Sequence, residues 1–419
     1  MRSVVRISER RKPREVSQGK LLRVVQDGDE RSRRLWAIQA LLPVALEEFV
    51  KEIQRELEEL TGPRYQRAAG EEDRVRWGRQ AGSIFLLDQK VPVAVPRVRD
   101  RRRQVEVPLE TYRGMQSPQA ADRLVFARIL GGLSCRGYRD ASALDPESFG
   151  LASSTVSRRF IQVTASRLRT LQDRSLAGEE YVALFLDGKA FAGETIVLAI
   201  GILASGEKRV LGFVQTTTEN ERSCAEFLQG LVERGLRYED GLLCVIDGGK
   251  GLRKAISRVF GRRAAVQRCH FHKRSNVCAY LPKSQQAAWR KRLKRAMDLP
   301  GYKEAKAALQ RLARELALVN ESASRSLLEG LEEILTLQRL GLATELGRSF
   351  KTTNVIESLN AGIGQRTDKV DHWRNSNQIQ RWVAAAALDV EQRLHKVSGY
   401  KHLAKLQAAL QAQDQAKAA

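Results

Sequence analysis

Apolar residues fall into two textures along this chain. Between residues 181 and 268 they form short unbroken runs, at 181–187, 194–203, 208–216, 242–247 and 264–268, each too short for a helix and bounded by polar or glycine-containing turns. These predict strands buried on both faces. Ala204-Ser205-Gly206-Glu207-Lys208 is a hairpin turn between the second and third runs. Helical periodicity separates the later ones, at about 220–235 and 250–260. The order β-β-β-α-β-α-β, a meander followed by crossovers, predicts an α/β fold: a mixed sheet with helices on its faces.

Elsewhere the apolar spacing is helical. Leu46, Phe49, Val50, Ile53, Leu57 and Leu60 mark one face of a helix over 35–61, ended by Gly62-Pro63. Residues 83–98 read as a small β-hairpin running into Arg97-Val98-Arg99-Asp100-Arg101-Arg102-Arg103. Residues 118–172 are helical, with a break at Gly131-Gly132. Residues 283–345 read as one continuous amphipathic stretch, and helix resumes at 354–363 and 376–412. These textures divide the chain into a basic arm (1–34), a helical and hairpin region (35–115), a helical region (116–175) and a strand-rich core (176–282). An all-helical segment (283–345), a second part of the core with C-terminal helices (346–412) and a frayed Ala/Gln/Lys tail (413–419) follow.

Charge narrows the partner. Lys and Arg number 72 against 49 Asp and Glu, a net +23, which fits a polyanion and above all nucleic acid. No apolar run reaches the roughly 20 residues that span a bilayer, and the basic start has no signal-peptide core. The five cysteines are odd in number with no Cys-x2-Cys pair, as expected of a reducing cytoplasm. In Gly150-Leu151-Ala152-Ser153-Ser154-Thr155-Val156-Ser157-Arg158-Arg159, the serines can cap a helix whose first turn presents Ser154, Thr155, Ser157, Arg158 and Arg159. That is the composition of a helix-turn-helix recognition helix, and equally of an ordinary capped surface helix. Arg97, Arg99 and Arg101 are candidate phosphate contacts, or simply a solvated charge run.

Two apolar runs meet Asp-Gly, at Asp187-Gly188 and Asp247-Gly248. Asp-Gly is a common turn, yet an acid at the end of a buried strand is costly unless it has a partner. Two such acids on one sheet, in a basic protein, can hold divalent cations, Mg²⁺ above all, for phosphoryl transfer. Glu357 alone reads as part of a capping box begun by Asn354. Gly248-Gly249-Lys250-Gly251 is not a phosphate loop, because Cys244 stands where the Walker spacing needs glycine. Cys269-x2-His272 is half a zinc site; the remaining histidines, apart from His270, are the distant His372, His395 and His402, which disfavours a four-ligand zinc centre.

Four motifs in order give the chain a resemblance. Leu186-Asp187-Gly188-Lys189, Ile246-Asp247-Gly248-Gly249-Lys250-Gly251-Leu252, Arg268-Cys269-His270-Phe271-His272-Lys273-Arg274-Ser275-Asn276-Val277 and Thr353-Asn354-Val355-Ile356-Glu357-Ser358-Leu359-Asn360 are similar to those of the mutator-type DDE transposases of bacterial insertion sequences, across most of residues 80–395. The resemblance implies an RNase H-like mixed sheet interrupted by an all-helical insertion, after a mainly helical DNA-binding region with a small β-hairpin. It implies that Asp187, Asp247 and Glu357 form the catalytic, metal-holding triad, supported by Cys269, His272, Asn354 and Asn360, with Mg²⁺ or Mn²⁺ as cofactor. Its implied partner is double-stranded DNA, both element ends and target, held by a homodimer or larger assembly near the nucleoid, with no membrane. The stretch Gly364-Gln365-Arg366-Thr367-Asp368 is less basic than this family's usual pattern. Two alternatives share parts of the expectation: a structure-specific nuclease or resolvase with the same triad, and a non-catalytic DNA-binding relative.

Overall fold

A computed structural model describes residues 30–64, 74–142, 148–218 and 220–418. Of the predicted basic arm, residues 1–29 lie outside the described residues. The chain divides into two compact units, Met1–Val163 and Thr164–Ala419.

In the first unit, helix α1 (Glu30–Thr61) buries Phe49, Ile53 and Leu57 with Ile84, Val91, Val93, Val95 and Val98 in one apolar cluster. Strands β1 (Arg74–Leu86), β2 (Gln89–Asp100) and β3 (Val105–Val107) form an antiparallel sheet. The hairpin is therefore longer than its apolar core predicts, because arginines extend both strands past the buried valines. The turn at Leu87 takes a left-handed φ of 55°. The next residue, Asp88, is fully buried. Its Oδ2 accepts hydrogen bonds from Arg128 Nη1 at 2.5 Å and Tyr138 Oη at 2.6 Å, the pairing that a buried carboxylate requires. Both partners belong to the helices that follow: α2 (Glu110–Gly114), α3 (Gln119–Leu130), α4 (Tyr138–Ser142) and the start of α5 (Ser153–Gln172).

In the second unit, β4 (Tyr181–Phe191), β5 (Glu194–Leu203), β6 (Lys208–Thr216), β7 (Leu242–Ile246) and β8 (Ala264–Arg268) form a mixed sheet of order β6-β5-β4-β7-β8. The first three strands are an antiparallel meander; β4–β7 and β7–β8 are parallel. Leu184, Leu186, Leu242, Cys244 and Ile246 share a cluster with Cys224, Leu228 and Leu231 of α6 (Glu221–Glu233) and with Leu252, Ile256 and Phe260 of α7 (Lys250–Phe260). The alternate residue Phe185 meets Phe350 instead, with ring centroids 5.5 Å apart. Side chains alternate across a strand, so beyond the bulge after Tyr181 the odd-numbered positions of β4, Ala183, Phe185 and Asp187, leave on the Phe185 side. Gly201 of β5 makes room for the Tyr181 ring across the ladder; a Cβ there would come within 2.5 Å of it.

The segment predicted as one long helix is several short ones. After α8 (His270–Ala279) come α9 (Lys283–Asp298), α10 (Tyr302–Val319), α11 (Glu321–Leu328), α12 (Leu331–Ile334) and α13 (Thr336–Arg339). Pro300-Gly301 breaks the first pair, and Asn320 caps α11 by accepting from the Ala323 amide at 3.0 Å. Trp289, Leu293, Leu309, Leu316 and Leu327 give this segment its own core with Val277 and Cys278 of α8. Helices α14 (Gly347–Phe350), α15 (Asn354–Thr367), α16 (Ser376–Glu391) and α17 (Leu403–Ala418) complete the described chain. The predicted helix over 376–412 is thus two, parted by a turn in which Gly399 adopts a φ of +83°. Glu391 anchors α16 to the sheet edge, accepting from the Val210 amide at 2.6 Å and from Arg174 Nη1 at 2.8 Å.

Candidate active site

The two Asp-Gly sites behave differently. Strand β7 ends at Ile246, one residue before Asp247, as its apolar run predicts. Strand β4 does not end at Asp187. It continues through Gly188 to Phe191, pairs Asp187 with Leu198 of β5, and turns at Ala192-Gly193, both with positive φ (52° and 82°). Positive φ at both central positions is the signature of the hairpin turn that matches strand twist. The misleading signal was the loss of apolar character after Leu186, which marks a loss of burial and not the end of the strand.

Register then decides where the acids lie. The parallel ladder of β4 and β7 pairs Ala183 with Leu243, Leu184 with Cys244, Phe185 with Val245 and Leu186 with Ile246. Asp187 and Asp247 are the next residues of that series, so they leave neighbouring strands at the same level. Beyond Asp247 the chain turns sharply: Gly248 has φ +115°, and the Gly249 amide donates to Asp247 Oδ1 at 2.9 Å. That bond fixes one carboxylate oxygen within its own turn.

Helix α15 supplies the third acid. Its N-cap is Thr353, not Asn354, so Glu357 is the fourth helical residue and the predicted capping box does not form. Thr353 Oγ1 donates to Glu357 Oε1 at 2.6 Å. One turn on, Asn360 Nδ2 donates to Asp187 Oδ2 at 2.9 Å, a bond from the helix to the sheet. Lys189 Nζ reaches the Asn360 carbonyl at 3.4 Å. Asn354 is exposed at the first helical position and makes no hydrogen bond to the acids.

The acids also act on one another through charge. The Asp187 carboxyl is pushed up to about 6, first by burial and then by the Asp247 charge, with Glu357 adding to the rise and His272 and Asn360 opposing it. Cys269 and His272 flank Glu357 from the N-terminus of α8, where the Cys269 amide bonds the Ile246 carbonyl at 2.8 Å. His272 is raised to about 9, by its hydrogen bond with Cys269 above all and, among weaker causes, by Asp247 and Glu357. Burial alone would raise the Cys269 thiol; hydrogen bonds from His272 and Thr353 outweigh it and lower the pKa. Among the described residues, Cys269, His272 and Glu357 bring three ligand atoms within 4.8 Å of one another, and Asp187 and Asp247 lie outside that close set. His270 plays no part in it: it is buried, lowered to about 4 by burial, and bonds the Ile334 carbonyl at 2.8 Å.

A carboxyl that holds its proton to about 6 must release it before binding a cation. Mn²⁺ affinity, measured by titration calorimetry between about pH 5 and pH 8, should therefore rise roughly tenfold per unit below about pH 6 and level off above it. A flat profile would remove Asp187 from the ligand set.

The candidate DNA contacts divide. Ser154 and Arg158 are exposed on the first turns of α5, and Thr155 and Ser157 are partly so. Arg159 turns inward: its Nε donates to Asp122 Oδ1 at 2.6 Å and its Nη1 to the Asp88 carbonyl at 2.7 Å. It is part of the fold of the first unit, and only its place in an otherwise exposed turn suggested the surface. Arg97 forms a two-bond pair with Glu106, at 2.9 and 2.8 Å. Arg99 lies over the exposed Trp77 ring at 4.9 Å, and Arg101 is exposed. Trp77 carries no assignment from the sequence, and Thr353 enters there only as the first residue of a motif. Trp77 was detectable as a large aromatic within an arginine-rich strand.

A mixed sheet follows a helical N-terminal region, and the second unit brings Asp247 and Glu357 near enough to Asp187 to disfavour its charge. The chain belongs to the Mutator family of transposases, whose family pattern matches residues 22–396. It is similar to the transposase for insertion sequence element IS905 of Lactococcus lactis, 29% identical over 249 residues, covering 57% of this chain and 62% of that protein. It is 26% identical over 254 residues to the transposase for IS256 in transposon Tn4001 of Staphylococcus aureus, covering 57% and 64% of the two chains. The transposase for ISRM5 of Rhizobium meliloti is 26% identical over 361 residues, 83% of this chain and 87% of that one. The matched stretch thus spans less than two thirds of the first two relatives. No helix among the described residues is long and apolar enough to cross a membrane.

Proposed function

We propose that this chain is a DNA transposase of RNase H-like fold that cleaves DNA at insertion-sequence ends and joins the freed strands to target DNA. One observation carries the reading: the β4–β7 register, which sets Asp187 and Asp247 at one level, with α15 bonded to Asp187 through Asn360. The helical segment between α8 and α14 is then an insertion within that fold. Family membership and the relatives' names support strand transfer over simple hydrolysis.

The donor set fits a hard divalent cation. Asp187, Asp247 and Glu357 offer oxygen ligands only, and Asp187 is raised first by burial and then by the Asp247 charge. Mg²⁺ or Mn²⁺, held by these three residues, would supply Lewis-acid stabilisation of the attacking and leaving oxygens at phosphorus. The Cys269–His272–Glu357 group is a poorer zinc centre, because it offers three ligands where a closed tetrahedral site needs four. His272 acts there as a cation beside Glu357. Asn360 orients Asp187 with an amide hydrogen, and Gly249 holds Asp247 with its backbone. Exposed Arg101 and Arg158, with Ser154, Thr155, Ser157 and Arg99, position the duplex; Arg159 does not. A dimer or larger assembly holds both element ends.

The reading is tested with labelled DNA carrying the sequences that flank the gene, pre-cleaved at the 3′ ends. Joining to a target duplex in Mg²⁺ is the expected result. Hydrolysis without joining would make the chain a nuclease.

A further inference from the structure

We propose that Thr353 is a positioning residue that fixes the carboxylate of Glu357, through a hydroxyl shared with the Cys269–His272 pair. The proposal rests on the reading of Glu357 as a metal-holding acid. Thr353 is fully buried at the entrance to α15. Its hydroxyl lies 2.6 Å from Glu357 Oε1, 3.3 Å from His272 Nδ1 and 3.4 Å from Cys269 Sγ. Its amide lies 3.4 Å from the same sulfur.

A hydroxyl has a single hydrogen to donate and two lone pairs to accept with. A carboxylate only accepts, so the short bond to Glu357 takes the Thr353 hydrogen. The lone pairs then face His272 Nδ1, and the Thr353 amide serves Cys269 Sγ as donor. The Thr353 hydrogen occupies Oε1 of Glu357 and leaves Oε2 for a cation or water. The anchor beneath is rigid. Cys269 is tied to β7 by its amide bond to the Ile246 carbonyl, and the next amide, His270, bonds the Lys351 carbonyl at 2.8 Å. Thr353 therefore transmits the position of the strand end beside Asp247 to an acid on another element. Ordinary helix capping does not explain the arrangement, because the Thr353 side chain makes no cap bond to its own helix. A hydroxyl kept from the helix amides and turned onto an acid is a residue assigned to that acid.

The test compares Thr353→Val, which keeps the shape and removes the hydroxyl, with Thr353→Ser, which keeps the hydroxyl. Mn²⁺ binding by the full-length protein is read by electron paramagnetic resonance, and Mg²⁺-dependent nicking of supercoiled plasmid gives kcat and KM. Thr353→Val should weaken Mn²⁺ binding roughly 10- to 100-fold and lower kcat with KM for DNA unchanged. Thr353→Ser should restore both to within about threefold of the natural protein. Should Thr353→Val fail to fold, Thr353→Ala takes its place against Thr353→Ser. Equal Mn²⁺ affinity in the Val and natural proteins overturns the proposal, as does a Ser variant as impaired as Val, which would assign the residue to packing. Glu357→Gln is run alongside. If Glu357→Gln also keeps full Mn²⁺ affinity, the metal-holding reading of Glu357 itself has failed; if it alone loses affinity, only the role of Thr353 has.

Discussion

Asp187→Asn should make the protein more stable and inactive. The Asp187 carboxyl rises from 3.8 to about 6 in the folded chain because burial and Asp247 disfavour its charge. A raised carboxyl pKa means that the folded state binds the proton more tightly than the unfolded state. Stability is then greatest below the unfolded value and is lost as pH rises through about 6, so at neutral pH the ionised group costs up to about 3 kcal/mol. Asparagine removes the charge and keeps an oxygen to accept from Asn360 Nδ2. Thermal melting without divalent metal at pH 7 should show a gain of about 1–3 kcal/mol, and the gain should vanish near pH 4. Loss of a metal ligand removes several kcal/mol of transition-state stabilisation, a fall in DNA cleavage of roughly 10³-fold or more. Sites under functional constraint are often built against stability. A destabilised Asp187→Asn protein would mean that the acid serves the fold.

The second large effect belongs to the first unit. Asp88 is buried with no exposed surface, and its carboxylate holds both Arg128 and Tyr138. Burial and that carboxylate keep the Tyr138 phenol protonated well above its usual range. Asp88→Ala would leave a guanidinium and a phenol without their acceptor, at a cost of about 3–5 kcal/mol. Chemical denaturation should show that loss. DNA binding, measured by fluorescence anisotropy at fixed salt, should fall with it, although Asp88 is not a DNA contact. An Asp88→Ala protein of unchanged stability would show that the network is dispensable.

Much of the fold was legible because the sheet is buried on both faces. Continuous apolar runs gave β5, β6 and β8 to the residue and placed Asp247 at the end of β7. What misled was polarity inside a regular element. Strand β4 outlasts its apolar run because the hairpin beyond Asp187 is partly exposed and closes with Ala192-Gly193, a turn without the usual Asn or Asp. The helices of residues 283–339 share one amphipathic phase across their breaks, so periodicity alone joined them; Pro300-Gly301, Asn320 and Gly330 were the stops.

The site was legible unevenly. Asp187 and Asp247 stood out through local cost, as acids where strands are buried. Glu357 did not, and the capping box that explained it locally is absent because the helix starts one residue earlier than Asn354 as cap would require. Thr353, which bonds Glu357, opens the motif that contains Glu357 but carries no chemical mark of its own beyond being a threonine before a helix. Contacts across a gap of 84 residues, from Thr353 to Cys269, leave no periodic trace. Arg159 failed in the opposite direction: an arginine in a polar turn reads as surface until Asp88 and Asp122 are seen beneath it.

The three-acid site depends on Glu357, the acid with the weakest local case. Joining of pre-cleaved DNA ends to a target duplex, compared between the natural protein and Glu357→Gln at equal DNA occupancy, tests it most directly. Joining should be lost in Glu357→Gln while DNA binding and folding are unchanged. Joining at the natural rate by that variant would contradict the three-acid site.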